Sequence, residues 1–286
     1  MLKKLLFQLD TDLIPSAFDT VVGYDGGADH VMAYGGLTPQ NVGAMVDGAI
    51  FTRAPKEKKY TALFIGGSSM VAGQELLSAV QRKFFSNFRV SVMLDSNGSN
   101  TTAAAGVSMM ARAGPLAGKR AVVLAGTGPV GQRAAVMLAK EGAQVTITSR
   151  KKERAEATCQ LIKERFALDV KALQAVDNDA RGAALDGAQI VFASGAGAVQ
   201  LLEPRHWQGN PSIEQLTDAN ATPPLGIGGI DMMDKGVEKN GKVVFGAIAF
   251  GALKLQLHRY CIARLFESAD QVLDAEEIFL IAKTMV

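Results

Sequence analysis

The turn Gly126-Thr127-Gly128-Pro129-Val130-Gly131 constrains this chain more than any other feature, because of what flanks it. Residues 120–124, Arg-Ala-Val-Val-Leu, form a short apolar run of strand type, and residues 130–141 carry apolar side chains at helical spacing. A second strand pattern, residues 144–148, follows at once. Strand, glycine turn, helix and strand in this order predict a dinucleotide-binding unit. The first glycine makes a tight turn, the second lets the backbone approach a pyrophosphate, and the third lets helix and strand pack closely. Phosphate oxygens would sit on the N–H groups at the helix start. The alternative is a structural turn with no ligand.

The end of the second strand bears on which nucleotide. A free ribose 2′-hydroxyl is usually held by an Asp or Glu about 20 residues beyond the first glycine. Here the chain reads Thr148-Ser149-Arg150-Lys151-Lys152, with no acid before Glu153. The Ser149 hydroxyl followed by Arg150 and Lys151 suits a 2′-phosphate, which a guanidinium can grip through two hydrogen bonds. The residues therefore predict NADP rather than NAD. A solvated basic helix start is the alternative, although cations there oppose the helix dipole.

With 286 residues, 48% of them hydrophobic and only 6% aromatic, the chain can build two α/β lobes around cores of Ala, Val, Leu and Ile. A net charge of +2 gives no reason to expect a nucleic-acid partner. No apolar run reaches the roughly 18 residues of a membrane span. The apolar start ends at Asp10 and Asp12, so it reads as a first strand and not a signal peptide. Cys159 and Cys261 form no C-x-x-C pair and read as two buried free thiols of a cytoplasmic protein. His30, His206 and His258 are scattered, so no metal site is expected.

Strand patterns at 4–9, 61–65 and 90–94 alternate with helical ones at 70–85 and 99–112. Thr38 and Pro39 predict an N-cap and first helical position for a helix running to about 50. Ala113-Gly114-Pro115 reads as a hinge. A helix at 153–166, strands at 190–193, 215–218 and 243–245, and helices at 250–267 and 274–284 complete the chain, with Asp274 and Glu277 at capping-box spacing. The fold class expected is two-lobed α/β. An N-terminal substrate lobe spans 1–112 with 255–286, its C-terminal helices returning to it, and a Rossmann-type lobe spans 113–254.

Three polar segments are candidate sites. The first, residues 19–30, gathers Asp19, Tyr24, Asp25 and His30 around glycines just after the first strand; it reads as a substrate-binding loop or as a polar surface turn. The second, residues 95–102, includes Asp95, Asn97, Asn100 and Thr102 and could read the amide and amine edge of a heterocycle. Capping of the next helix, which Ser99 or Asn100 would satisfy, is its alternative. The third, residues 218–231, has Asn220, Pro223 and Ile230 in a rigid Pro/Gly segment; with Ser194, Gly195 and Ala196 it is where backbone groups would hold a nicotinamide. Lys254 precedes His258 by four residues, on one helix face, and is expected in the first helical turn, where a cation is unfavourable. It reads either as a functional or as a solvent-facing lysine, and His258 as a substrate-binding residue.

Residues 7–12 (Phe-Gln-Leu-Asp-Thr-Asp), 19–30, 95–106, 126–131 and 223–231 together resemble one small family, the NADP-dependent methylene-tetrahydromethanopterin/methylene-tetrahydrofolate dehydrogenases of methylotrophic bacteria. The resemblance covers essentially the whole chain. It implies a cytoplasmic, oligomeric enzyme of one-carbon metabolism, with its active site in a cleft between lobes. Such an enzyme oxidises the methylene bridge of methylene-tetrahydromethanopterin or methylene-tetrahydrofolate to the methenyl form and passes hydride to NADP. The family is similar in architecture to the folate dehydrogenase/cyclohydrolases, but none of the four tyrosines here is followed by Lys in their Tyr-x-x-x-Lys pattern, so cyclohydrolase activity is not expected.

Hydride loss leaves a cation delocalised over N–C–N and moves no proton, so no general base is required, in keeping with the lack of a catalytic His, Cys or Ser motif. Under this resemblance Asp95 and Lys254 are the expected catalytic residues. Asp19, Asp25 and Asp95 would bind the pterin's amine edge or stabilise the developing charge, and Lys254 would orient a carbonyl. Two rivals remain. One is a shikimate-dehydrogenase-like reductase, which needs a first-lobe Lys–Asp pair; Lys3, Lys4, Lys56, Lys58 and Lys59 do not supply it from a polar loop after a strand. The other is a non-catalytic NADP sensor.

Overall fold

The computed structural model describes residues 2–286. The first part of the chain forms β1 (Leu5–Asp10), α1 (Ala17–Asp25), β2 (His30–Tyr34), α2 (Gly43–Phe51), β3 (Thr61–Gly66), α3 (Met70–Lys83), β4 (Ser91–Leu94) and α4 (Ser99–Ala113). Then come β5 (Arg120–Leu124), α5 (Pro129–Lys140), β6 (Gln144–Ser149), α6 (Lys152–Phe166), β7 (Lys171–Gln174), α7 (Asn178–Ala183), β8 (Ile190–Ala193) and α8 (Pro204–Trp207). The chain closes with β9 (Gln215–Asp218), β10 (Lys235–Lys239), β11 (Lys242–Phe245), α9 (Ala247–Arg264), β12 (Val272–Leu273) and α10 (Ala275–Thr284). Two compact units result, Met1–Thr101 with Leu255–Ile281, and Thr102–Lys254 with Ala282–Val286.

The first unit carries a five-stranded sheet in the order β12-β4-β3-β1-β2, every pairing parallel. Its inner strand β3 is buried along all six residues, as a central parallel strand covered on both faces must be. Leu9, Leu63, Ile65, Leu76, Val80 and Val92 are among the side chains of its core. Helix α3 begins at Ser69, whose hydroxyl accepts from the Ala72 N–H, and ends with Arg82 and Lys83 in its last turn, both favourable to the helix dipole. The sheet runs outward from β1 in both directions, so its strand order reverses between β1 and β3. Their carboxyl ends are where an open parallel sheet takes a ligand.

The second unit carries a seven-stranded sheet, β10-β11-β9-β8-β5-β6-β7, parallel except for β10 against β11. Its core gathers around Trp207, whose indole N–H donates to Gly228 O at 2.8 Å, with Leu185, Leu202, Leu216 and Ile227 packed about it. Here the order reverses between β5 and β8, which brings the glycine turn beside the end of β8.

Several sequence expectations need correcting. Residues 19–30 are not a loop: 19–25 lie in α1, Gly26 ends it, and His30 opens β2. The helix expected from Pro39 begins only at Gly43, because Thr38 makes a turn in which its N–H donates to Asn41 Oδ1 and its carbonyl accepts from the Asn41 and Val42 N–H groups. Helix α9 starts at Ala247, so Lys254 lies beyond its first turn and the dipole argument does not apply to it. At α10 the capping-box spacing is joined by a longer-range contact. Glu277 accepts from the Asp274 N–H, while Asp274 turns its carboxylate to the Ala275 N–H and the Asn100 amide. Cys261 is buried but Cys159 only partly so.

Candidate active site

The glycine turn is built against the end of β6. Gly126 N donates to Thr148 O at 3.0 Å and Ala125 N to Thr148 Oγ1 at 3.1 Å, with Ala125 in the left-handed region at φ 53°. The three glycines meet different surroundings. A Cβ on Gly126 would lie 2.8 Å from Ile147 Cβ, and one on Gly131 would lie 2.7 Å from Gly126 Cα, so both positions are closed by packing. A Cβ on Gly128 would meet nothing nearer than Ala125 O at 3.9 Å and Ser194 O at 4.0 Å. Nothing in the fold demands a glycine there, and the open space over it would admit a ligand close to the backbone. Gly128 also N-caps α5 without any side-chain acceptor, and Pro129 takes the first helical position, which leaves the next N–H groups of Val130 and Gly131 for an anion. Thr127 O accepts from Gln132 Nε2 at 2.9 Å, which braces the turn.

At the end of β6, Ser149 is half-buried while Arg150 and Lys151 are exposed, and Gln174 Nε2 on β7 donates to Arg150 O at 3.0 Å. A second guanidinium, which the sequence reading missed, joins them from α7. Arg181 is 8% exposed, and burial first, then the nearby Arg150 charge, hold it below the ordinary arginine range, with Asp177 partly offsetting them. No local spacing links Arg181 to Arg150; only the pairing of β6 with β7 does.

After β8, Ser194 N and Oγ both donate to Leu124 O, at 3.1 and 3.0 Å; Gly195 is half-buried and Ala196 exposed. The segment after β9 is organised by Asp218, whose buried carboxylate accepts from Asn220 N and Ile227 N at 3.0 and 2.9 Å. Burial pushes this carboxyl above its ordinary 3.8 although those N–H groups pull the other way. Two expectations change here. Asn220 is 4% exposed and spends its side chain on Thr222 N and Pro224 O, so it shapes the loop from within. Ile230 is a core side chain of the same cluster as Trp207. Pro223 is exposed.

In the first unit the strand ends at the reversal carry acids that were not singled out as site residues. Asp10 is 1% exposed and accepts from Asp12 N and Ser16 N at 2.9 and 3.0 Å; Asp12 accepts from Ser68 N and Oγ at 3.0 and 2.9 Å. The oxygens of Asp10 and Asp19 both come to 3.3–3.4 Å from the position of a Cβ on Gly66, so two carboxylates flank that glycine. A strand that ends in an acid was the signal available in the sequence, at residues 9–12. Of the first polar segment, only Asp19 reaches this end of the sheet. Tyr24, Asp25 and His30 are carried by α1 to the opposite end, where His30 pairs with Leu5 at the start of β1 and Asp25 binds Arg259. Asp29 beside them is held below the ordinary carboxylate range, chiefly by the Lys4 N–H.

The segment after β4 is mostly turned inward. Asp95 is 1% exposed, and its carboxylate accepts from Asn100 N, Thr101 N and Thr101 Oγ1 at 2.9, 3.1 and 2.6 Å. Asp95, and neither Ser99 nor Asn100, therefore caps α4, and its buried carboxylate is engaged in the fold rather than presented to a substrate. Asn100 is buried too, donating to Leu94 O at 2.7 Å and Asp274 Oδ1 at 3.1 Å. Asn97, exposed at φ 56°, and the half-buried Thr102 are the members with surface. His258 is fully buried, its ring 5.2 Å from that of Phe64 and its Nδ1 3.9 Å from Asp95 Oδ2, beyond hydrogen-bond reach. It is an interior residue of the first unit rather than a substrate ligand. Lys254, one turn before it on α9, is half-buried.

Among the described residues no cluster of three His, Cys, Asp or Glu could hold a metal, and no helix is long and apolar enough to cross a membrane. Two α/β units with mainly parallel sheets, one with an open glycine turn at its strand-order reversal, define a dinucleotide-binding fold. Residues 17–97 match the family described as methylene-tetrahydromethanopterin dehydrogenase, N-terminal, and residues 116–199 an NAD(P)-binding family. The chain is 57% identical over 287 aligned positions, 100% of both chains, to the Methylorubrum extorquens protein named "Bifunctional protein MdtA". It is 30% identical, over 99% of its length and 98% of the relative's, to that organism's "NAD(P)-dependent methylenetetrahydromethanopterin dehydrogenase". The chain belongs to the methylene-tetrahydromethanopterin dehydrogenase family, a family of nicotinamide-nucleotide-dependent oxidoreductases. A solved shikimate 5-dehydrogenase from Listeria monocytogenes shares the fold at a TM-score of 0.53 and 12% identity, over 99% of this chain and 96% of that one.

Proposed function

We propose that this protein oxidises 5,10-methylene-tetrahydromethanopterin, and accepts methylene-tetrahydrofolate, giving the methenyl form by direct hydride transfer to NADP. The observation that carries the reading is the open cradle over Gly128 in a full-length relative of a protein named for that dehydrogenation. A bound nicotinamide supplies the hydride acceptor. The chain's own residues have the simpler tasks of binding, orienting and excluding water, because losing hydride from a carbon between two nitrogens moves no proton. Backbone groups of Gly126, Gly128 and Gly131 and of the α5 N-terminus bind the pyrophosphate; Ser194, Gly195, Ala196 and Pro223 lie along the strand ends that would hold the nicotinamide. Ser149, Arg150 and Lys151, with no carboxylate before Glu153, favour the 2′-phosphate of NADP over the free hydroxyl of NAD. Asp19 at the β1/β3 reversal, with Asn97 and Thr102, is assigned to the pterin, and Lys254 to orienting it. Asp95 acts by positioning the start of α4.

The test is absorbance at the methenyl-pterin band while the protein is incubated with each methylene-pterin and NADP, then NAD. Turnover with NADP at a clearly higher kcat/KM than with NAD is expected, and the methenyl band should persist, because the Tyr-x-x-x-Lys pair of the cyclohydrolases is lacking. No turnover with either pterin would sink the reading. We further propose that the protein works in the cytoplasm as a homo-oligomer. Leu13 and Ile14, adjacent in the chain and 88% and 84% exposed, are apolar surface that such contact would cover. A monomer mass by light scattering would refute the oligomer.

A further inference from the structure

The parallel pairing of β6 with β7 sets Ser149 opposite Gln174, and Ala175 N donates to Ser149 O at 2.9 Å, so the chain leaving β7 runs beside the Ser149-Arg150 corner. It then enters α7 at once. Asp177 caps that helix, accepting from Ala180 N at 2.8 Å. On its far side α7 is clamped to α8: His206 Nε2 meets Asp179 Oδ1 at 2.9 Å, Arg205 meets the same oxygen at 2.6 Å, and a Cβ on Gly182 would lie 2.8 Å from His206 Cδ2. His206 Nδ1 accepts from Glu203 N at 3.0 Å, which leaves the Nε2–H to donate to Asp179. Arg181 is further tethered by donating from a terminal nitrogen to Asn178 Oδ1 at 2.5 Å.

The result is two guanidiniums carried to one corner by the β6/β7 pairing, Arg150 at the end of β6 and Arg181 on the helix that follows β7, the second of them largely buried. Like charges brought together at the cost of burial are relieved by an anion that both can bind. We propose that Arg181 is a second specificity-determining residue for the 2′-phosphate of the nucleotide, gripping it together with Arg150. The proposal rests on the NADP reading above and extends it to a residue about 30 positions beyond the one that the glycine-turn spacing points to.

The experiment is titration calorimetry of the full chain with adenosine 2′,5′-bisphosphate and with 5′-AMP, which differ only in the 2′-phosphate. Wild type should bind the bisphosphate at least about tenfold more tightly. Arg181→Gln should lose about tenfold or more for the bisphosphate and nothing for AMP, Arg181→Lys should recover part of the loss, and KM for NADP should rise with kcat little changed. If Arg150→Ala loses the discrimination while Arg181→Gln keeps it, the role of Arg181 is overturned and the NADP reading survives. Equal losses of Arg181→Gln for both probes mean a structural role and also overturn the proposal. If wild type does not discriminate, the NADP reading falls and Arg181's role falls with it.

Discussion

Gly128 and Gly131 stand three residues apart on one turn and meet opposite surroundings, which lets stability and binding be separated. Gly131→Ala should cost about 1–3 kcal/mol, because its Cβ presses on Gly126 Cα at 2.7 Å, and thermal melting will register it. Gly128→Ala, at an ordinary φ of −78° with open space ahead of it, should melt like wild type yet bind nucleotide at least about tenfold more weakly. Wild-type nucleotide affinity in Gly128→Ala would mean that the cradle is unused. At Asp95, replacement by Ala strands the donors of Asn100 and Thr101 at the head of α4 and should cost about 2 kcal/mol, read from the urea midpoint. A variant with full stability but no turnover would restore the catalytic reading. Burial pushes the Cys261 thiol up to about 12 from an ordinary 9.0. A raised folded-state value means that the unfolded chain loses its proton first, so this contribution to stability is complete below about pH 9 and falls toward pH 12. Cys261→Ala should therefore show a shallower loss of melting temperature between pH 8 and 10 than wild type; parallel curves would refute the linkage.

Among the elements, α4 shows how one small residue admits a helix to a sheet. Within the second unit, Gly106 faces Phe192 of β8 so closely that a Cβ would come within 2.9 Å of the ring. Since an aromatic ring in a packed core yields little, Gly106→Ala should destabilise by about 1–3 kcal/mol, measurable by denaturant titration; an unchanged midpoint would show that the ring can move. The sequence made the inner strands legible because β3, β4, β8 and β9 are continuous buried runs, and it also made α3, α5 and α6 legible through their spacing or flanks. The edge strands escaped it. β7 and β10 carry Lys171, Gln174, Lys235 and Lys239 on half-solvated edges where no apolar period survives, and the two residues of β12 are strand only because β4 lies beside them. β2 escaped as well, a half-exposed edge strand of five residues whose first, His30, closes the polar segment before it.

For the whole molecule, two separate strand-order reversals, β1/β3 in one unit and β5/β8 in the other, give each unit its own ligand edge. The proposed pterins share the reacting ring and differ by methyl groups and tail, differences worth only about 1–3 kcal/mol in a pocket. Their kcat/KM values should accordingly lie within about 10- to 200-fold of each other, and a wider gap in competition assays would require a polar discriminator not identified among the residues above. The sequence by itself determined the alternation of strands and helices, the nucleotide turn and the basic corner after β6, because glycine spacing and hydrophobic period act over a few residues and need no distant partner. Only the tertiary structure decided which polar groups are spent on the fold and which remain for chemistry. It buried Asp95, Asn100, Asn220 and His258, carried Tyr24, Asp25 and His30 to the far end of their sheet, and brought the chain that leads into α7 and Arg181 alongside the end of β6. Those outcomes depend on strand order and on groups far apart in sequence, 174 positions for Asn100 and Asp274 and 234 for Asp25 and Arg259. Local pattern carries no record of such pairings.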